Sequence, residues 1–193
     1  MYDTRLASDV QRLRDSLGEL PEPVARPALV VVSGLPGTGK SFFSRKLAER
    51  VPLLVLESDV LRKTLFPSPT YSAEESSQVF RAIHPLAEDL LKEGVSLVLD
   101  ATNLSERFRE RLYCIADRLG ARLIVVRVQA PPEVVRQRMQ GRAGYSDTVS
   151  DADWSVYLKM RPSAEPISRN HFVVDTSRDI SPAIERIVRE ITR

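Results

Sequence analysis

The chain is 193 residues long, enough for one compact domain with a sizeable core and too short for much beside it. Its 28 Lys and Arg against 26 Asp and Glu give a formal net charge of +2, which supplies no broad attraction for nucleic acid. No apolar run approaches the roughly 20 residues a membrane-spanning helix needs, and Met1-Tyr2-Asp3-Thr4-Arg5 is not a secretory leader, so a cytoplasmic protein with no membrane partner is expected. The single Cys114 excludes an internal disulfide and a cysteine-built zinc site; its place among Leu112, Ile115 and Leu119 predicts a core or near-core position.

Leu6, Val10, Leu13, Leu17 and Leu20 recur at spacings of three and four, which predicts an amphipathic helix over 4–20 packed outside the main domain. Pro21, Pro23 and Pro27 then make a short stiff linker, dividing the chain into 1–27 and 28–193. Ala28 to Val32 reads as a parallel strand buried on both faces. After it comes Gly34-Leu35-Pro36-Gly37-Thr38-Gly39-Lys40-Ser41, the phosphate-binding loop pattern, followed by a helical stretch beginning with Ser41 and Phe42. Glycines let such a backbone curl its N–H groups toward an anion, and the helix adds its positive end. Lys40 is then placed to reach the β- and γ-phosphates of a nucleotide, and Ser41 offers an oxygen to Mg²⁺.

Leu53 to Leu56 is a second strand running into Glu57-Ser58-Asp59, with a short helix over 60–65. Asp59 fits two roles, cap of that helix or general base, and Arg62 shares its helical face. A loop with two prolines leads to a helix over 73–92, in which Pro85 is a kink or first-turn residue and His84 a packed side chain. Val95 to Leu99 is a third strand, ending in Asp100-Ala101-Thr102-Asn103. Asp100 has the usual setting of a carboxylate that binds Mg²⁺. Thr102 and Asn103 can hydrogen-bond an acceptor or the γ-phosphate, while Asn103 can equally cap the helix over 105–119.

A fourth strand over 122–128 precedes a helix opened by Pro131 and Pro132 and running to about Gly141. Arg138 and Arg142 share one face if that helix continues, and with the Gly-, Ser- and Asp-rich stretch 141–153 they suggest a mobile lid; the alternative is a solvated basic face. Trp154 and Tyr157 dock a further helix over 151–160. A last strand over 171–174 ends in Asp175-Thr176-Ser177, and a closing helix covers 182–192. Strands alternating with helices predict an α/β fold whose parallel sheet is covered on both faces, with ligands at the C-terminal strand ends. The phosphate loop, Asp59, Asp100 to Asn103 and Thr176 all fall on that rim. The nucleotide-contacting set is therefore Gly34 to Phe42 with Thr176.

On the phosphate loop, Glu57-Ser58-Asp59-Val60-Leu61-Arg62, Leu99-Asp100-Ala101-Thr102-Asn103-Leu104 and the Arg138/Arg142 pair, the chain over about 28–192 resembles the small P-loop kinases. These are related to the 5′-kinase domain of polynucleotide kinase and more distantly to zeta toxins and chloramphenicol phosphotransferase. The resemblance implies a three-layer P-loop NTPase fold with a five-stranded sheet in the order 2-3-1-4-5 and a lid. It also implies Asp59 as general base, Arg62 on the acceptor side, Asp100, Thr102 and Asn103 as a D-x-T-N element, and Arg138 with Arg142 as lid arginines. The expected activity is Mg²⁺- and ATP-dependent transfer of the γ-phosphoryl group to a hydroxyl of a small-molecule acceptor, by a monomer or homodimer. The other readings are a polynucleotide 5′-hydroxyl kinase and a non-catalytic nucleotide-binding switch. A small acceptor is favoured because 73–78 carries Glu74 and Glu75 and no cation, and Arg107, Arg109 and Arg111 spread around their helix.

Overall fold

Apolar side chains fill nearly every position of Ala28–Ser33 because that strand, β1, is buried along its whole length. In the computed structural model, which describes residues 4–142 and 152–193, β1 lies at the centre of a five-stranded sheet. Its neighbours are β3 (Leu97–Asp100) and β4 (Arg122–Gln129). Outside them lie β2 (Leu54–Glu57) and β5 (Phe172–Asp175), all pairs parallel, in the order 2-3-1-4-5. The register sets Val32 and Glu57 on either side of Asp100, so the strands end together on one rim.

The two-residue period of a strand sends alternate side chains to opposite layers. Val30 and Val32 join Phe43 and Leu47 of α2 (Lys40–Ala48) and Ile184 and Ile187 of α8 (Ser181–Thr192). Leu29 and Val31 join the other layer, built from α3 (Ser58–Leu65), α4 (Ala73–Lys92) and α5 (Glu106–Leu119). Helix α6 (Pro132–Arg142) and the short α7 (Trp154–Met160) form a satellite cluster, where Val135, Met139 and Tyr157 bury against Leu35 and Trp154.

Two expectations change. The N-terminal helix α1 (Thr4–Asp15) does not lie outside the core: Leu13 is fully buried in the α3/α4/α5 layer, with Leu6, Val10 and Leu17 packed on it. Its apolar stripe is the face that meets α4. Cys114 is exposed and not near-core, because α5 turns Leu112, Tyr113, Ile115 and Ala116 inward and position 114 falls on the outer side. Helix α4 covers the expected residues, 20 of them, from a Ser72 cap whose hydroxyl accepts from the Glu75 N–H at 3.1 Å, and of the two roles expected for Pro85 the first-turn one is excluded, since it sits inside this helix.

Candidate active site

The phosphate loop joins β1 to α2 in a space too narrow for side chains. A Cβ at Gly34 would run into the Val128 carbonyl oxygen, and at Gly39, where φ is +90°, one would come within 3.0 Å of the Thr176 hydroxyl. Gly39 precedes Lys40, so the first N–H groups of α2 open onto the loop. The loop's shape is held from inside: Leu35 O accepts from Thr38 Oγ1 at 2.8 Å and from Lys40 Nζ at 3.1 Å. Pro36 is buried and Phe42 projects outward, 47% exposed.

Thr176, expected at the nucleotide site from its place after β5, is built into the loop. Its hydroxyl donates to Thr38 O at 2.6 Å and accepts from Arg138 Nη1 at 2.8 Å, while Arg138 Nη2 donates to Thr176 O at 2.8 Å. Helix α6 runs through Gly141 to Arg142, which puts Arg138 and Arg142 on one face, and Arg136 turns away toward the Trp154 ring. Arg138 is thus linked to the phosphate loop through Thr176. The side chain of Arg142 and the stretch 143–151 of the expected lid lie outside the described residues.

On the other side of the loop stands Asp100, 4% exposed. Burial pushes its carboxyl above the ordinary range and nearby Asp59 adds to this, against the pull of Lys40, a hydrogen bond from Ser41 and the charge of Arg45. Its Oδ2 is buried with no hydrogen-bond partner. A buried carboxylate oxygen left over beside a serine hydroxyl is the donor chemistry a hard cation takes, so Ser41 and Asp100 fit Mg²⁺. The adjacent Glu57 is also pushed up, first by burial and then by Asp100. Sequence reading passed over Glu57 as a site residue; its pairing opposite Asp100 across β2 and β3 appears only with the register.

Asp59 lies in the first turn of α3 and is not its cap, since the N-cap position belongs to Glu57, which makes no side-chain cap bond. Capping therefore does not account for this carboxylate, which stands partly exposed within electrostatic reach of Asp100. Arg62, one turn on and 6% exposed, reaches toward α4. Its Nη2 donates to Ser76 Oγ at 3.2 Å, Nη1 lies 4.0 Å from Glu75, and the Tyr71 ring covers it at 5.0 Å. Tyr71 holds a left-handed φ of 56°, an unfavourable conformation for a bulky residue.

The turn after β3 is bolted to the loop. Gly34 N–H donates to Thr102 O at 3.0 Å, and Asn103 Nδ2 donates to Val32 O at 2.7 Å. Asn103 does not cap α5, whose N-cap is Ser105. Its own carbonyl accepts from Ser33 Oγ at 3.0 Å and from Arg109 Nη1 at 2.6 Å. Arg109, fully buried, also donates to Glu165 O at 3.1 Å and Pro166 O at 2.6 Å, tying the strand-end turn to the chain returning from α7. In the sequence Arg109 reads as one of three scattered arginines, with no local signal that it is the buried one.

A parallel five-stranded sheet in the order 2-3-1-4-5, with this loop following its central first strand, is the fold shared with P-loop kinase structures. The chain belongs to the AAA_33 family of AAA domains, whose model matches residues 29–167. It is 31% identical over 111 residues to an adenylyl-sulfate kinase of Myxococcus xanthus, a match covering 55% of this chain and 60% of that one. An L-seryl-tRNA(Sec) kinase of Methanococcus maripaludis is 29% identical over 115 residues, 57% of this chain and 44% of its own length. The chain therefore spans less than two thirds of either relative. Among solved structures, the Mycobacterium tuberculosis APS kinase in complex with AMPPNP and APS matches with a TM-score of 0.65 at 18% identity, covering 89% of this chain and 100% of that one.

Proposed function

We propose that the protein is an Mg²⁺- and ATP-dependent kinase that moves the γ-phosphoryl group of ATP to a hydroxyl of a small-molecule acceptor. The observation that carries this reading is Asp100 at the end of β3: it pairs with Val32 just before the phosphate loop, is 4% exposed, and keeps one carboxylate oxygen with no hydrogen-bond partner. A switch that only binds nucleotide has no use for a partly exposed carboxylate such as Asp59 in that position. The naming of the relatives as kinases agrees with it.

In this reading Gly34 to Phe42 and Thr176 hold the nucleotide, and Lys40 meets the β- and γ-phosphates. Ser41 and Asp100 would hold Mg²⁺, which would supply charge neutralisation to the phosphates. The acceptor oxygen bonds to the γ-phosphorus as the bond to the β,γ-bridging oxygen breaks, and Asp59 takes the acceptor's proton. Arg62, Thr102 and Asn103 line the acceptor side, although the Asn103 amide nitrogen is already committed to Val32. Arg138 and Arg142 bring positive charge to the transferring group.

The test is a screen for ATP-dependent phosphate incorporation into small hydroxyl compounds, APS and gluconate among them, and into 5′-hydroxyl oligonucleotides. Transfer to a small compound with a shallow salt dependence is expected. Efficient labelling of oligonucleotides, with affinity that improves with length and falls steeply with salt, would overturn the small-acceptor reading. Nucleotide binding with no transfer to any acceptor would favour the switch.

A further inference from the structure

The family match begins at residue 29, so α1 lies outside it. Nevertheless α1 is fastened at two places, one on each of the helices that hold Arg62. On α4, Gln78 Nε2 donates to Asp9 at 2.7 Å, and Gln78 Oε1 accepts from Arg5 at 3.0 Å. Asp9 is 5% exposed and its bond with Gln78 is part-buried, while the Arg5 bond lies on the exposed side. On α3, Arg12 Nη2 donates to the carbonyls of Thr64 at 2.9 Å and Leu65 at 3.4 Å, the last residues of that helix. A cation at the C-terminal end satisfies carbonyls the helix itself cannot and complements its dipole.

Both fastening points lie within one turn of the acceptor-side cluster. Gln78 follows Ser76 and Glu75, the α4 partners of Arg62, and Thr64 follows Arg62 itself. Helix α3 has only eight residues and no side-chain N-cap, too short to be stable without tertiary support. Any slip of α3 against α4 would open the 3.2 Å contact between Arg62 and Ser76. Leu13 of α1 is fully buried in the same core cluster as Leu61 and Leu65 of α3 and Val79 of α4.

We infer that Arg12 is a positioning residue for the acceptor side of the site: through α1 it fastens the C-terminal end of α3 to α4 and so fixes the Arg62 guanidinium between them. This rests on the reading of Arg62 as an acceptor-side group. Arg12 is about half exposed, so its replacement leaves the fold in place. Arg12→Ala and Arg12→Lys are compared in the full chain by the NMR signal of the Arg62 Nε–H, which is buried without a hydrogen-bond partner and is assigned with Arg62→Lys. Arg12→Ala shifts or broadens that signal and speeds amide exchange over 62–66 roughly tenfold, the equivalent of one charge-assisted hydrogen bond. Arg12→Lys restores part of both. Affinity for Mg·AMPPNP stays within roughly twofold, since the phosphate loop is a separate site. An unchanged Arg62 signal with unchanged exchange would overturn the inference, as would exchange that rises throughout the chain while nucleotide affinity falls in step. None of these readouts needs an acceptor, so failure of wild type to phosphorylate anything in the screen would defeat the kinase reading alone.

Discussion

Two buried titratable side chains show how differently one physical cost is used. Asp100 is buried, yet Lys40 and Ser41 favour its charge, and one oxygen is left without a partner at the mouth of the phosphate loop. His84 is buried on α4 with no compensating group: burial first and Arg111 second push its pKa down to about 4, so it is a neutral packing residue at pH 7, as its apolar helix predicts. A base whose folded pKa is depressed contributes fully above its unfolded value near 6.5, and that contribution is lost as pH falls toward the folded value of about 4. The shift is worth on the order of 3 kcal/mol at most. Denaturant melts between pH 7 and 4 should therefore show a loss of stability in wild type that His84→Leu largely removes. Parallel pH profiles for the two proteins would mean that His84 takes up its proton without resisting it.

At the scale of elements, what the sequence disclosed was local and what it hid was long-range. The phosphate loop, the strand ends at Glu57 and Asp100 and the sequence of alternating elements could be read because each is a contiguous pattern with its own periodicity or motif. Cys114 was misplaced because helical spacing gives the period of an apolar stripe but not its phase, and α5 sets its phase by what meets the sheet. The partners of Arg62 lie across a loop on α4, and the buried role of Arg109 depends on Glu165 and Pro166, more than 50 residues away. Neither could be foreseen from composition. The docking of α1 by Leu13 and Arg12 is hidden for the same reason. Helix α6 makes a prediction of its own: Arg138 already touches the loop through Thr176, so Mg·AMPPNP should slow amide exchange across 132–142 as its charge meets the phosphates. Equal exchange with and without nucleotide would leave Arg138 as a strut for Thr176.

Taken as a whole molecule, the chain concentrates its costs on one rim. Glu57, Asp59 and Asp100 gather like charges, Gly39 and Asn103 hold left-handed backbone, and the covered sheet below supplies the stability that tolerates them. Under the proposed kinase reading, a nucleotide and its cation would bring the compensating charges to this rim. Among the described residues no helix is long and apolar enough to cross a membrane. The proposed transfer turns on Asp59 acting as a base. Its most direct test measures Mg·AMPPNP affinity and γ-phosphoryl transfer side by side in wild type, Lys40→Ala and Asp59→Asn, using a small acceptor found by the screen. Lys40→Ala should lose nucleotide affinity, whereas Asp59→Asn should keep it and lose about 100- to 10,000-fold in transfer rate, the usual range for general-base catalysis. Transfer by Asp59→Asn at the wild-type rate would contradict the account.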